Sequence, residues 1–251
     1  MIADYWFYAL ACPAILIAAI SKGGFGGGVV VLAVPLMSLA VPPQQAAAVM
    51  LPVLMAIDVM AVWVYRKSFD GSHLKIILPA SVIGIALGWA GFGLLDVSTI
   101  RLLLGIIALA FSLDYWFQFR PRKVPKGPDK LRGGFWAALA GFTSFVAHAG
   151  GPPLNVYMLA QGLEKRVFVG TVAIFFAGVN WMKLVPYALL GQFNTENLTT
   201  SLVLLPLAPV GVWIGLWLQK RVSDKAFYGV CYGLLLITGI KLAWDGVTGA
   251  M

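Results

Sequence analysis

The chain has 251 residues, of which 60% are hydrophobic and only 11% are charged, whereas a soluble domain carries about a quarter charged residues. Its apolar runs are continuous rather than alternating, which excludes a transmembrane β-barrel. The net charge of +8 comes from basic residues in short loops, as the positive-inside rule expects, so it does not indicate nucleic-acid binding. The composition predicts an all-α, polytopic protein of the lipid bilayer.

The apolar segments form two series of five, and each series reads short, short, long, long, long. The predicted segments are 5–20, 29–41, 44–65, 74–95 and 99–119, then 133–147, 153–163, 167–190, 199–219 and 225–247. Runs of 11 to 16 residues are short for a membrane span. We therefore expect each short pair to form a re-entrant hairpin. The alternative is a pair of tilted spans, which gives ten spans in all.

The two halves match each other at a near-constant offset, which argues for an internal duplication. The predicted division is a first transmembrane repeat at 1–119, a basic linker at 120–132 and a second transmembrane repeat at 133–251. Among the matched pairs are Asp58 with Asn180, Asp70 with Asn194, Gly84 with Gly211, and Gly88 with Gly215.

Basic residues predict the orientation, because Lys and Arg accumulate in cytoplasmic loops. Fourteen of the 18 basic residues fall in the linker and in the loops that follow the third segment, precede the eighth and precede the tenth. We predict that these regions face the cytoplasm, that the chain lies in the cytoplasmic membrane, and that both termini lie outside. The halves are then inverted copies, and their short pairs point at each other from opposite faces.

A glycine-rich break lies inside each short pair, at residues 21–28 and 147–153. Short, Gly/Pro-interrupted segments at corresponding places of inverted repeats indicate a midplane site in secondary transporters. Such breaks free backbone N–H groups, and the helices that start there favour anions. The alternative is that these glycines only permit close helix packing. The predicted backbone ligands are Gly24, Gly26, Gly27 and Gly28 on one side and Gly150 and Gly151 on the other.

Ionisable residues within the apolar segments are few, so each is a candidate for function. Lys22 could attract an anion or extend its ammonium group to the outer face. His148 could contact the solute or serve as a structural donor. Asp58 is the first candidate for a coupling proton, because burial disfavours its charged form. Asn180 occupies the matched position, and Asp58 could instead form a structural pair with Lys183, three residues further on.

No enzyme, cofactor or metal is predicted. The chain has no HExxH, GxSxG or Walker sequence, so neither an enzyme nor a nucleotide-driven pump is indicated. Cys12 and Cys231 have no metal-binding or redox spacing.

The organisation resembles the sulfite exporter TauE/SafE permeases, also called the TSUP family. The resemblance covers nearly the whole chain and rests on the run Lys22-Gly23-Gly24-Phe25-Gly26-Gly27-Gly28 with Pro35, and on His148-Ala149-Gly150-Gly151-Pro152-Pro153. It implies a secondary permease for a small sulfur-containing anion such as sulfite, thiosulfate or an organosulfonate. The proton is the expected coupling ion, and the sequence is compatible with a homo-oligomer. An uncoupled anion channel and a membrane subunit of a larger complex are the alternatives.

Overall fold

The computed structural model describes residues 1–92, 94–117, 127–218 and 220–249, and these contain helices and no strand. Most of the predicted linker therefore lies outside the described residues. The α-helices are α1 (Tyr5–Gly24), α2 (Ala33–Met37), α3 (Pro43–Tyr65), α4 (Gly71–Phe92), α5 (Val97–Phe117), α6 (Lys130–Ala147), α7 (Gly151–Met158), α8 (Lys165–Leu189), α9 (Thr195–Leu204), α10 (Leu207–Leu218) and α11 (Asp224–Thr248). Short 3-10 helices at Val30–Leu32 and Leu159–Gln161 adjoin α2 and α7.

Seven stretches of the described chain are long and apolar enough to cross a membrane. They are α1, α3, α4, α5, α8, the continuous stretch Thr195–Leu218 that contains α9 and α10, and α11. The prediction of an all-helical, multipass membrane protein is confirmed.

The two members of each short pair differ in length more than the sequence suggests. Helix α1 has 20 residues and α6 has 18, whereas α2 has five and α7 has eight. The predicted first segment ended at residue 20, but α1 continues to Gly24. The extension packs tightly, because a Cβ on Gly23 would lie 2.7 Å from the carbonyl oxygen of Val212 in α10. The second member of each pair is therefore the short one.

Glycines set the closest helix contacts, and they do so at matched places in the two halves. The largest helix interfaces join α4 to α6, α5 to α11, α1 to α10 and α3 to α8. A Cβ on Gly84 of α4 would lie 1.8 Å from the carbonyl oxygen of Ala138 in α6, and one on Gly211 of α10 would lie 2.5 Å from the Cβ of Ala19 in α1. These interfaces thus require glycine, as membrane helices that approach closely commonly do.

Helix starts are also capped at matched places. The Asp70 carboxylate accepts hydrogen bonds from the backbone N–H groups of Ser72 and His73 at the start of α4. The Asn194 side chain accepts one from the N–H of Asn197 at the start of α9. Because such caps satisfy donors that lack intrahelical partners, they fix where each helix begins.

Candidate functional site

The first break lies at residues 25–29, between the end of α1 and the 3-10 helix. Gly26 and Gly27 have φ angles of 75° and 76°, values that L side chains adopt only with strain. The chain turns around Ser21, whose carbonyl oxygen accepts from the N–H groups of Phe25 and Gly27, each at 2.9 Å. The Ser21 hydroxyl oxygen accepts from the N–H of Val29 at 3.3 Å. This turn stops α1 inside the protein.

Two tyrosines of α11 donate hydrogen bonds to this turn. The Tyr228 hydroxyl donates to the carbonyl oxygen of Phe25, and the Tyr232 hydroxyl donates to that of Gly28 at 3.5 Å. A Cβ on Gly28 would lie 2.9 Å from the Tyr228 ring. Gly28 is therefore required for packing against Tyr228.

The second break begins at His148, which caps α6 in the left-handed conformation with φ 51° and ψ 27°. It is the one described residue other than glycine with a positive φ. Its N–H donates to the carbonyl oxygen of Ser144 at 3.1 Å. The Thr143 hydroxyl closes the turn by donating to the carbonyl oxygen of Ala149 at 3.1 Å. A strained residue held by several bonds is typical of a functional site.

The two breaks touch each other. A Cβ on Gly151, the first residue of α7, would lie 3.4 Å from the carbonyl oxygen of Gly27 and 3.6 Å from that of Gly28. Each is an ordinary contact distance, so the two backbones pass each other with space for one methyl group. The structure thus brings together two segments that are more than 100 residues apart in the sequence.

Buried polar side chains surround this meeting point. Lys22 donates from Nζ to Oδ1 of Asp58, and the Asn180 amide donates to Oδ2 of the same carboxylate. The side chains of Lys22 and Asp58 are only 9% and 3% exposed, so Lys22 does not extend to the surface. The ion pair of Asp58 is made with Lys22 and not with Lys183, which corrects the structural pair considered from the sequence.

Lys183 is fully buried and makes its hydrogen bonds to neutral groups. Its Nζ lies 3.0 Å from the Ser144 carbonyl oxygen, 3.2 Å from the Ser144 hydroxyl and 2.7 Å from Nδ1 of His148. Nε2 of His148 lies 2.9 Å from the carbonyl oxygen of Ala47. A carbonyl oxygen only accepts, so Nε2 carries a hydrogen and Nδ1 of the neutral ring accepts from Lys183. The bonds at Ala47 and Ser144 thus tie the second break to α3 and α8.

Two small cavities flank Lys22. The Asp58 cavity is lined by Lys22, Gly27, Asp58 and Phe176, together with Gly26, Ala61, Val169 and Val172. The His148 cavity shares Lys22, Gly27 and Phe176, and is also lined by Leu54, Ser144, His148, Gly151 and Asn180. Each has room for about one water molecule. The described conformation is therefore closed around the site.

The cavities include five of the eight residues predicted to bind the solute, namely Lys22, Gly26, Gly27, His148 and Gly151. The other three lie outside their linings. Gly24 belongs to α1, Gly28 packs against Tyr228, and a Cβ on Gly150 would lie 2.6 Å from the carbonyl oxygen of Ala140.

Among the lining residues that were not predicted from the sequence, Ser144 and Phe176 contact the lysines of the site. Ser144 lies one helical turn before His148, so its position beside the break was an available signal. Phe176 lines both cavities, and Nζ of Lys22 lies 5.6 Å from the centre of its ring. Nothing in the sequence distinguishes Phe176 from the other aromatic residues of α8.

The described residues contain seven apolar stretches that can span a membrane, and they bury charged groups where two helix breaks meet. These features define a multipass membrane transport protein. A sequence model described as Sulfite exporter TauE/SafE matches residues 11–242. The chain therefore belongs to the TauE/SafE family, whose members are membrane transporters and not enzymes, and the resemblance noted in the sequence is confirmed. No curated protein and no solved structure matches the chain.

Proposed function

We propose that this protein is a secondary transporter that moves a small sulfur-containing anion, such as sulfite, thiosulfate or an organosulfonate, across the cytoplasmic membrane. The anion binds between the two glycine-rich breaks, and its movement is coupled to an ion, for which the proton is the first candidate. The observation that carries the proposal is the buried cationic cluster at the point where the breaks meet. The cluster consists of Lys22, Lys183 and His148 with Asp58 as its carboxylate.

The charge balance of this cluster favours an anion. When both lysines are protonated, two ammonium groups face one carboxylate, and the described contacts of Lys183 are all to neutral groups. An uncompensated charge in apolar surroundings is unfavourable, and an anion beside Lys22 and Lys183 would balance it. The sulfur oxyanions named by the family fit this requirement, because each presents several acceptor oxygens to N–H and O–H donors.

Backbone donors add to the cluster, though fewer than the glycine run suggests. The N–H of Gly27 donates to Ser21, and Gly24 lies within α1. We therefore assign this role to Gly26 in the first break and to Gly151 in the second, whose N–H is the one free backbone donor in the first turn of α7, because Pro152 and Pro153 carry no N–H. The second break also supplies a helix N-terminus, whereas α2 is only five residues long and contributes little dipole.

Transport requires the closed site to open. Each cavity has room for about one water molecule, whereas the proposed solutes have at least four heavy atoms. The breaks must therefore separate from Phe176 or from each other before an anion enters. Opening first toward one side of the membrane and then toward the other is alternating access.

Two inverted repeats, 1–119 and 133–251, are the architecture that we propose for this movement. If the halves are exchanged, α4 takes the place of α9 and α10, and α6 takes the place of α1. The α4–α6 interface then corresponds to the α1–α10 interface, and the α3–α8 and α5–α11 interfaces each correspond to themselves. Asp58 bonds to Asn180, its own matched residue, and matched residues touch only near a pseudo-twofold axis. An axis in the membrane plane places this bond at the midplane. We retain the predicted orientation, with a cytoplasmic linker and both termini outside.

Flux into proteoliposomes tests the function. Purified wild-type protein is expected to transport sulfite, thiosulfate or methanesulfonate, and to accumulate the anion against its gradient when a proton gradient is imposed. The Gly27→Leu and Gly151→Leu variants are expected to lose transport, because each side chain would fill the space where the breaks meet. Gly91→Leu is the matched control, since no atom lies within 4 Å of a Cβ at Gly91.

Undiminished flux in folded Gly27→Leu and Gly151→Leu proteins would contradict the site. Flux that only runs down the anion gradient would instead identify an uncoupled channel, and co-purification of a second polypeptide that is needed for flux would identify a subunit of a complex.

A further inference from the structure

We propose that the transported anion replaces Asp58 as the partner of Lys22, and that the released Asp58 carboxylate takes up one proton. The protein would thus carry one proton with each anion in the same direction. This inference rests on the proposed function and specifies how its site is coupled.

The arrangement of the donors around Asp58 suggests this exchange. Lys22 and Asn180, which donate to the two oxygens of Asp58, both line the His148 cavity. Asp58 itself lines only the Asp58 cavity, which shares Lys22, Gly27 and Phe176 with the His148 cavity. An anion in the His148 cavity therefore meets the same two donors that hold Asp58. The anion and the carboxylate compete for them.

Once the anion has displaced it from these donors, the Asp58 carboxylate must take up a proton. The surroundings of Asp58 in its cavity are mainly apolar, with Ala61, Val172 and Phe176 among the lining residues. A buried carboxylate that loses its cation and its amide donor becomes neutral rather than remaining charged. The carboxylate gains a proton from water while the anion occupies its place at Lys22. With a monoanion such as methanesulfonate the net charge of the cluster does not change, and with the dianion thiosulfate it falls by one.

The other ionisable groups around Asp58 are poorly suited to take this proton. Lys22 from α1 is already an ammonium donor to Asp58, and Lys183 from α8 makes its described hydrogen bonds only to neutral groups, so a charge there has no carboxylate partner. His148, at the break after α6, uses Nε2 to donate to Ala47, and its Nδ1 accepts from Lys183. A proton on Nδ1 would break the bond to Lys183 and add a further positive charge to the cluster. Asp58 is therefore the acceptor.

Titration calorimetry on the full-length protein in detergent tests the exchange. Methanesulfonate and thiosulfate are the probes, because neither titrates near neutral pH, and each titration is run in buffers with different heats of ionisation to count protons. Wild-type protein is expected to take up one proton per anion. Since binding is then linked to one proton, its Kd should rise about tenfold for each unit of increasing pH.

Two variants locate the proton. Asp58→Asn keeps an acceptor for Asn180 but cannot ionise, so it should bind either probe without proton uptake and with a Kd independent of pH. Asp245→Asn is the matched control. Asp245 forms a second Lys–Asp pair, with Lys241 in α11, and its removal should leave uptake at one proton.

Each outcome tests whether the anion replaces Asp58 as the partner of Lys22. Wild-type binding without proton uptake would overturn it while leaving the proposed function intact, and this measurement requires no variant. Uptake retained in Asp58→Asn would place the proton elsewhere and also overturn it. Failure of wild-type protein to bind methanesulfonate, thiosulfate and sulfite alike would remove the proposed function and this inference together.

Discussion

The two breaks occupy matching places in the chain but are built from different kinds of contact. At the first, the nearest charged group, Lys22, binds the carboxylate side chain of Asp58. At the second, Lys183 and His148 bond to each other, and each is also held by a backbone carbonyl oxygen, that of Ser144 or of Ala47. The first break reverses direction with two glycines of positive φ, and the second with the strained His148.

This difference indicates which break adapts and which stays fixed. A side-chain ion pair can exchange partners by rotation about side-chain bonds, whereas a bond to a helix carbonyl persists unless the helix itself moves. We therefore assign the exchangeable contacts to the first break and the rigid framework to the second. The following predictions test this contrast, from the largest expected effect to the smallest.

Replacing Asp58 by Leu should have the largest effect, because it leaves the Lys22 ammonium buried without its counter-ion. Breaking a buried pair in this way costs about 3–5 kcal/mol. The double variant Lys22→Met/Asp58→Leu should recover most of that loss, since it also removes the Lys22 ammonium group. Reversible unfolding in detergent measures both. A double variant no more stable than Asp58→Leu would show that this ion pair is not the main contribution.

Substitutions of His148 should separate its backbone strain from its hydrogen bonds. Both His148→Ala and His148→Gly lose the bond to Ala47, but only glycine adopts the left-handed conformation without penalty. The His148→Gly protein should therefore be more stable than the His148→Ala protein by about 1–2 kcal/mol, as measured by the same unfolding experiment. Equal stabilities would mean that the turn relaxes when the imidazole is removed.

Removal of a tyrosine hydroxyl provides a matched test at each break. Tyr187 is fully buried and donates to the Phe145 carbonyl oxygen at 2.7 Å, whereas Tyr228 is partly buried and donates to that of Phe25. Tyr187→Phe should cost about 0.5–1.5 kcal/mol, because it removes a hydrogen bond between buried groups. Tyr228→Phe should cost less, since the first break can adjust. A larger loss for Tyr228→Phe would reverse the assignment of the rigid break.

The smallest effect is expected at the matched caps Asp70 and Asn194, outside the spans. Hydrogen bonding from the Ser72 hydroxyl lowers the pKa of Asp70 below its ordinary value. The stability that it contributes is thus present above the unfolded pKa of about 4 and is lost as pH falls through the lower folded pKa. Asp70→Asn should change stability little at neutral pH, because both residues cap well.

The acid part of the unfolding profile measures this contribution. Asp70→Asn should lack the part of the decrease that Asp70 causes, and Asn194→Asp should gain a similar one. An unchanged acid profile in Asp70→Asn would assign the pH dependence to other carboxylates.

Much of the fold follows from the lengths of the apolar segments. The third segment was predicted at 44–65 and is found as Pro43–Tyr65. The end of α1 could not be predicted, because the helix continues where Gly23 packs closely against Val212 of α10, and the sequence does not show that contact. The same limit applies to Leu78-Pro79 and Leu205-Pro206, a Leu-Pro pair in each half of the chain. Pro79 lies within α4, while Leu205 and Pro206 separate α9 from α10.

In the candidate site, too, some features could be predicted from the sequence and others could not. Lys22, Asp58 and His148 are identified by rarity, since ionisable groups are costly in apolar segments. The partners of each could not be predicted, because the pairing of Lys22 with Asp58 depends on where the turn at 25–29 directs the end of α1. The contribution of Phe176 likewise depends on packing alone.

The bond between Asp58 and Asn180 has a consequence for how such a protein could arise. In an assembly of two identical half-length chains, these positions would carry the same residue. Two aspartates would then repel each other across the axis, and two asparagines would offer Lys22 no charge. Fusion of the halves into one chain removes this restriction, because it allows one position to become acidic while the other becomes its neutral donor. A single carboxylate where the two halves meet is therefore open to the fused chain and closed to a pair of identical half-length chains.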